Sequence, residues 1–300
     1  MRLDAVWRVL PRRVREKVSE KDLEESQEVR LRCGQAVFLK KNSGKLQRVE
    51  GGEALSAAEL RETVSLLSAY SLYAFEEELR QGYLTMEGGH RVGFCGKAVM
   101  ENGEIRTLKQ INALNIRIAR EQKGWGEMFL PHLLEGDRLS HTLIVSPPGC
   151  GKTTLLRDIV RCLSERMYTV GVVDERGEIA PLRDGIPQMD IGPCTDVLEG
   201  CPKAKGMVLL LRSMSPEVIA VDELGRPEDI DAVHEVLHCG VRLIATAHGY
   251  DFADMEKRLK GLIEDGIFER YLFLSDRNGT GTLEKILDRG GNIIRKGMGE

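Results

Sequence analysis

Residues 146–154 have the composition of a phosphate-binding loop. They read Ser146-Pro147-Pro148-Gly149-Cys150-Gly151-Lys152-Thr153-Thr154 and lie between a short apolar segment and a segment with helical periodicity, the context that such a loop requires. Backbone N–H groups and a helix N-terminus attract phosphate oxygens, and glycines let the backbone approach them. We therefore expect ATP to be bound by the following residues: Pro148, Gly149, Cys150, Gly151, Lys152, Thr153 and Thr154.

Single side chains of this loop have separate expected roles. Lys152 is placed to contact the β- and γ-phosphates, and the hydroxyl of Thr153 is placed to bind Mg²⁺. Ser146 stands where the usual pattern has its first glycine. A serine fits at that position if the backbone there does not need a positive φ.

An acidic pair follows a short apolar run further along the chain, at Val218-Ile219-Ala220-Val221-Asp222-Glu223. The apolar residues predict a buried strand that delivers Asp222 and Glu223 to its carboxyl end, where open α/β sheets bind ligands. We expect Asp222 to hold the Mg²⁺ shell through water, and Glu223 to orient and polarise the attacking water. The alternative is that the two acids merely end a strand.

Three more side chains follow predicted strands at the same edge of the sheet. Glu175 and Glu178 come just after the strand predicted over 169–174, and a carboxylate there can position water; the alternative is a solvated acidic loop. His248 follows the strand predicted over 242–247. Its imidazole can sense phosphate through a hydrogen bond and relay the signal, and the alternative is a structural histidine.

The segment His234-Glu235-Val236-Leu237-His238 matches the His-Glu-x-x-His pattern of zinc metalloproteases. It directly follows the predicted Mg²⁺ strand, so its helix must pack on the sheet. Val233, Val236 and Leu237 supply the apolar face for that packing. We therefore expect a packed helix and no zinc.

Composition restricts the classes of function. The 300 residues are 42% hydrophobic and 30% charged, with a net charge of −4. This negative charge argues against a protein that binds nucleic acid mainly by electrostatic attraction. No apolar run approaches the length of a membrane-spanning helix, and the arginine-rich first 20 residues lack the apolar stretch of a signal peptide. The seven scattered cysteines indicate a reduced, cytoplasmic protein.

Two domains are expected, joined by the polar, glycine-bearing segment 120–126. Residues 1–122 read as a smaller α+β domain, with a helix through the first 17 residues that Pro11 bends or starts, and another helix over 56–81. Its strands are predicted at 28–33, 35–41, 46–50, around 84, and at 91–99, 104–108 and 114–119. Residues 123–300 alternate short apolar strands with helices, which predicts a doubly wound parallel sheet, followed by an antiparallel pair at 270–275 and 282–288.

Three segments of the second domain resemble the ATPases of type II and type IV secretion and of type IV pili. They are 172–179 (VVDERGEI), 211–223 (LRSMSPEVIAVDE) and 245–249 (ATAHG). The resemblance implies a RecA-like P-loop ATPase domain that works in a ring, a homo-oligomer taken to be a hexamer. In that group glycine usually precedes the glutamate, and here Asp222 stands there.

Further segments, 89–96 (GHRVGFCG), 115–120 (NIRIAR) and 153–158 (TTLLRD), resemble the stage III sporulation protein AA family. This resemblance implies a cytoplasmic ATPase of the mother cell, peripherally associated with a membrane complex. Its implied partners are membrane-embedded channel and sporulation proteins between mother cell and forespore.

An arginine that completes phosphoryl transfer is expected from the N-terminal domain, as in ring ATPases, where it comes from a neighbouring subunit. Arg91 and Arg117 are the candidates. Two other functions remain open: a nucleic-acid motor or recombinase with the same core, which would show salt-dependent DNA binding, and an ATP-gated scaffold with negligible turnover.

Overall fold

The structure, a computed structural model, describes residues 3–51, 53–68, 79–80 and 82–297. The chain divides into two compact units. The N-terminal unit comprises Met1–Arg120 and Arg183–Gln188, and the C-terminal unit comprises Glu121–Leu182 and Met189–Glu300. The seven cysteines are free thiols.

The N-terminal unit is built on a six-stranded antiparallel sheet with the strand order β3-β2-β1-β6-β5-β4. Val29 and Leu31 are buried at alternate positions of β1, as the sequence pattern predicts. Its strands are β1 Ser26–Arg32, β2 Phe38–Lys41, β3 Leu46–Arg48, β4 Tyr83–Thr85, β5 Arg91–Glu101 and β6 Glu104–Arg117.

The two strands predicted over 104–108 and 114–119 are one continuous strand, β6. An irregularity in its middle explains the difference. Gln110 has a φ of 49°, and the pairing with β5 shifts register between Cys95 and Lys97. Opposite this bulge, a Cβ on Gly96 would lie 2.7 Å from the carbonyl oxygen of Lys109, so only glycine fits against the partner backbone.

Four helices of this unit fall in its described part: α1 Leu3–Val9, α2 Arg12–Arg15, α3 Glu20–Glu24 and α4 Ala57–Leu67. The helix predicted through the first 17 residues is broken at Pro11, which precedes α2. The predicted capping box at Ser56 is confirmed, since Ser56 Oγ accepts from the Glu59 N–H and Glu59 accepts from the Ser56 N–H at 2.9 Å. The prediction that this helix runs to Gln81 falls largely on residues 69–78 and 81, outside the described residues.

The C-terminal unit contains an eight-stranded, mostly parallel sheet with the order β13-β10-β14-β15-β9-β16-β17-β18. Its strands are β9 Thr142–Ser146, β10 Val170–Asp174, β13 Thr195–Glu199, β14 Val218–Val221, β15 Arg242–His248, β16 Arg270–Ser275, β17 Thr282–Asp288 and β18 Ile293–Lys296. Short hairpin strands lie outside this sheet: β7 Leu134–Glu135, β8 Arg138–Leu139, β11 Leu182–Arg183 and β12 Ile186–Pro187.

Two differences from the predicted sheet concern its edges. β16 was expected only as half of an antiparallel pair, but it also runs parallel to β9 and so joins the main sheet. The edge strand β13 was not predicted. Its residues are only partly buried, so it lacks the apolar run that marks the central strands.

Helices cover both faces of this sheet. They are α5 Trp125–Leu133, α6 Lys152–Glu165, α7 Lys203–Met214, α8 Pro227–His238, α9 Phe252–Arg258 and α10 Lys260–Glu264. α5 and α6 bury their apolar residues with Ile144 and Ala220 on one face. α7 and α8 do so with Val145 and Val221 on the other. This doubly wound arrangement brings the carboxyl ends of β9, β10, β14 and β15 to one edge.

Candidate nucleotide-binding site

The segment between β9 and α6 has the backbone of a loop that surrounds an anion. β9 ends at the buried Ser146, and Gly151 is the N-cap of α6. Gly149 and Gly151 have φ values of 78° and 84°, a region that favours glycine. Ser146 is not among the described residues with positive φ, so a serine is compatible with this position. The N-terminus of a 14-residue helix faces the loop, and this end attracts phosphate.

Lys152 is buried at the first position of α6, with 5% of its surface exposed. Its Nζ lies 3.4 Å from Glu223 Oε1 and 3.4 Å from His248 Nε2. The structure thus brings together three of the residues that the sequence predicted, from three separate elements.

Thr153 and Asp222, the two residues that the sequence predicts to hold Mg²⁺, also meet. Thr153 Oγ1 donates to Asp222 Oδ2 at 2.7 Å, and Thr246 Oγ1 donates to Asp222 Oδ1. A hydroxyl and a carboxylate beside a phosphate loop are the hard oxygen ligands that Mg²⁺ prefers, and Mg²⁺ takes its remaining ligands from substrate phosphates and water. The donor set therefore fits Mg²⁺, with Thr153 and Asp222 as the residues that would hold it.

Glu223 is the centre of the charged network. Its Oε1 lies 2.8 Å from His248 Nε2, and its Oε2 lies 3.2 Å from Arg176 Nη1. Partial burial alone would raise the pKa of Glu223, but the interactions with Lys152, His248 and Arg176 outweigh it and lower that pKa. The carboxylate is therefore ionised at neutral pH.

The backbone of Glu223 is unusual for a residue other than glycine, with a φ of 52°. Its N–H donates to Thr246 Oγ1 at 2.9 Å. Because Thr246 also bonds Asp222, one hydroxyl of β15 fixes both acids at the end of β14. Thr246 was missed by the sequence analysis, although it stands two residues before His248.

His248 makes its hydrogen bonds through one ring nitrogen. The 2.8 Å contact assigns the ring proton to Nε2, which donates to Glu223. Nδ1 is buried without a hydrogen-bond partner among the described residues. The relay through this imidazole stays a prediction.

Glu175 lies in a separate ion-pair group. Its carboxylate binds Lys203 Nζ at 2.6 Å and Arg226 Nη1 at 3.2 Å. Burial raises its pKa, and these two cations together with Arg176 lower it below the usual value. Lys203, at the start of α7, is itself buried. Glu175 is therefore held by a structural pair rather than placed against Lys152.

The loop after β10 is anchored from two sides by residues that the sequence analysis missed. Asp174 accepts the N–H groups of residues 178–180 at 2.8, 2.9 and 2.8 Å, and burial raises its pKa. Arg157 of α6 donates to the carbonyl oxygens of Glu178 and Ile179. Glu178 thus contributes its backbone to this anchor.

The two candidate arginines lie in the N-terminal unit. The guanidinium of Arg91 stands over the ring of Tyr83, 3.5 Å from its centroid. Arg117 is exposed at the end of β6, and its backbone lies opposite Arg91 of β5 and Glu28 of β1 in the sheet.

Trp125 marks the loop from the other side. A Cβ on Gly151 would lie 3.3 Å from its ring, and one on Gly281 would overlap the ring. The indole therefore packs directly on the backbone of both glycines.

The zinc-like motif lies on α8, where Val233 and Val236 are buried against the sheet. His234 Nε2 is 3.4 Å from Asp265 Oδ2. Over the described ranges, no three or more His, Cys, Asp or Glu residues are grouped to hold a metal. No described helix has the length and apolar character needed to cross a membrane.

Comparison with known proteins gives a match along nearly the whole chain. The family model described as "Sporulation stage III, protein AA" matches residues 1–294. Stage III sporulation protein AA of Bacillus subtilis (strain 168) is 45% identical over 307 residues, which cover 99% of each chain.

Solved structures give the fold. The Legionella pneumophila ATPase DotB has a TM-score of 0.58 at 17% identity and covers 90% of this chain and 80% of its own. The pilus retraction motor PilT, solved with bound ADP, has a TM-score of 0.62 at 15% identity and covers 90% of this chain and 81% of its own. The chain therefore has the fold of the secretion ATPases.

Proposed function

The chain belongs to the sporulation stage III protein AA family, and from this premise we propose that it is an ATP hydrolase with Glu223 as the residue that activates water. The observation that carries the proposal is the placement of Glu223. Its carboxylate contacts Lys152 of the phosphate loop and lies next in sequence to Asp222, the partner of Thr153.

ATP phosphates would bind the N-terminus of α6 and compete with Glu223 for the Lys152 ammonium. Mg²⁺, held by Thr153 and Asp222, would supply charge neutralisation of the phosphate oxygens. Binding thus frees one oxygen of Glu223 from Lys152. A carboxylate released from a cation is a stronger base, so nucleotide binding prepares Glu223 for its role.

Hydrolysis needs no reactant other than ATP and water. A water oxygen bonds to the γ-phosphorus, and the bond from this phosphorus to the β,γ-bridging oxygen breaks with its electron pair passing to ADP. Glu223 accepts a proton from the water, then returns it to phosphate or solvent. Glu175 is the weaker candidate for this base because Lys203 and Arg226 occupy its carboxylate.

The family resemblance is the basis for a proposal on assembly and partners. We propose that the chain acts as a homo-oligomeric ring, a hexamer, in the cytoplasm of the mother cell. There it is peripherally associated with a membrane-embedded channel of sporulation proteins. Turnover would change the angle between the two domains and so act on the membrane partner. Arg117, exposed at the end of β6, is the better placed of the two candidate arginines to serve a neighbouring subunit.

The decisive test is release of phosphate from ATP by the purified protein, with and without EDTA, beside the Lys152→Ala variant. Mg²⁺-dependent turnover that is lost in the variant supports the proposal. Unchanged turnover in Lys152→Ala would end it. Tight ATP binding without turnover would instead identify an ATP-gated scaffold.

A further inference from the structure

Arg176 lies one residue beyond Glu175, yet its side chain belongs to the Glu223 group. Its Nη1 is 3.2 Å from Glu223 Oε2, and its side chain is 58% exposed. We propose that Arg176 is a catalytic residue that contacts the γ-phosphate and stabilises the charge that develops there, within the same chain that binds the nucleotide. This inference rests on the proposed ATP hydrolysis and adds a residue to it.

The position of Arg176 relative to Glu223 and Lys152 supports this role. Glu223 binds Lys152 through Oε1 and Arg176 through Oε2. The two cations therefore lie on either side of the carboxylate that would polarise water. A group attacked by that water must lie beside the same carboxylate, within reach of both cations.

The chemistry of the Arg176 side chain also suits contact with phosphate. A guanidinium is always charged and offers five N–H donors in a planar fork, which matches the oxygens of a phosphoryl group. One Nη1 contact to Glu223 leaves donors on the exposed part of Arg176. The long side chain can keep this contact and bind phosphate oxygens.

The loop that carries Arg176 is held rigidly by hydrogen bonds. Asp174 holds three N–H groups just beyond it, and the buried Arg157 of α6 holds two carbonyl groups of the same turn. α6 begins with Lys152. The helix that presents one cation thus fixes the loop that presents the other, an arrangement that lowers the reorganisation needed in the transition state.

Arg226 is the neighbouring exposed arginine, and its contacts differ. It binds Glu175 rather than Glu223, and it is the N-cap residue of α8. This difference singles out Arg176 as the arginine beside the reacting group. Arg176 exchanges no proton in the step and acts by charge and hydrogen bonding alone.

The experiment compares Arg176→Ala and Arg176→Lys with Arg212→Ala. Arg212 is a matched control because it is an exposed arginine paired with a glutamate, Glu235, at 3.1 Å near the C-terminal ends of α7 and α8. Three quantities are measured: ATP turnover at saturation, the affinity for a non-hydrolysable ATP analogue, and the affinity for ADP with aluminium fluoride, which mimics the transition state. Retained analogue binding also shows that each variant is folded.

Arg176→Ala is expected to lower turnover by on the order of 10³ and to weaken ADP–aluminium fluoride by a similar factor. Analogue affinity should stay within about threefold, because only interactions specific to the transition state are lost. Arg176→Lys should recover less than about a tenth of the turnover, and Arg212→Ala should match the wild type.

Wild-type turnover in Arg176→Ala, full recovery in Arg176→Lys, or an equal loss of analogue affinity would each overturn the assignment while leaving ATP hydrolysis in place. A wild-type protein that neither binds nor hydrolyses ATP would overturn the proposed function and this inference together. The two failures are therefore distinguishable before any variant is compared.

Discussion

Glu223 meets Lys152, His248 and Arg176 through a single carboxylate. Together these groups lower its pKa, which keeps the carboxylate charged but makes it a weak base while all three contacts persist. ATP phosphates would remove at least Lys152 from this set. The same contacts that weaken the base thus make its strength depend on the substrate.

At this scale Glu223→Gln is expected to lower turnover by on the order of 10²–10⁴ and to leave ATP bound. The amide keeps the shape of the side chain and loses the charge that polarises water. Phosphate release measures the first effect, and ATP retained on the protein through gel filtration measures the second.

Glu175→Gln is the comparison for that variant, because Glu175 is also a carboxylate at this edge but binds Lys203 and Arg226. Its turnover should fall less than that of Glu223→Gln. Hydrolysis at the wild-type rate in Glu223→Gln would instead make Glu175 the base.

Residues of the site differ in how far the sequence reveals them. Lys152, Thr153 and Asp222 stand in local patterns, and in the structure Thr153 contacts Asp222 while Lys152 contacts the adjacent Glu223. Thr246, Arg157 and Arg176 stand in the segments 245–249, 153–158 and 172–179, but the sequence assigns these three residues no role. Their contacts join elements that are distant along the chain, and only the sheet order decides which loops meet.

The same limit applies to whole elements. Strands β14 and β9 are buried on both faces and read as apolar runs, so the sequence predicts them well. The edge strand β13 does not follow a simple period because its residues are only partly buried. The strand β6 does not follow one because its pairing with β5 shifts register. Pro11 separates α1 from α2, and a proline is a signal for such a break that the sequence itself carries.

At the scale of elements, the loop between β16 and β17 is expected to support the phosphate loop through Trp125. Gly281→Ala would force a Cβ into the indole ring, whereas Gly279→Ala has no atom within 4 Å of its Cβ. Both glycines have positive φ, at 84° and 107°, so both variants carry a backbone cost of about 1–2 kcal/mol. Only Gly281→Ala adds the overlap.

Gly281→Ala should therefore be less stable than Gly279→Ala by about 1–3 kcal/mol in urea unfolding, and it should also bind ATP more weakly. Trp7→Phe makes Trp125 the single tryptophan, whose emission then reports both unfolding and nucleotide binding. Equal stability and equal ATP affinity of the two variants would show that Trp125 does not couple this loop to the site.

At the scale of the whole molecule, the proposed ring would decide which chain completes each site. Lys152, Glu223 and Arg176 lie in one unit, where Glu223 contacts both of the other two. Arg117 lies in the other unit, and in the proposed ring a neighbouring chain would supply it. Mixed oligomers can separate residues of these two kinds.

The last prediction concerns such mixtures. A Lys152→Ala chain cannot use its own site but retains every arginine, so it can still donate one to a neighbour. Mixed with Arg117→Ala, it should restore part of the turnover, because the intact Arg117 serves the neighbour's intact site. Mixed with Arg176→Ala, it should restore none, because both defects remain inside their own chains. Turnover is measured across mixing ratios, with assembly checked by mass. Recovery with Arg176→Ala would place Arg176 at a subunit interface, and no recovery with Arg117→Ala would favour a structural role for Arg117.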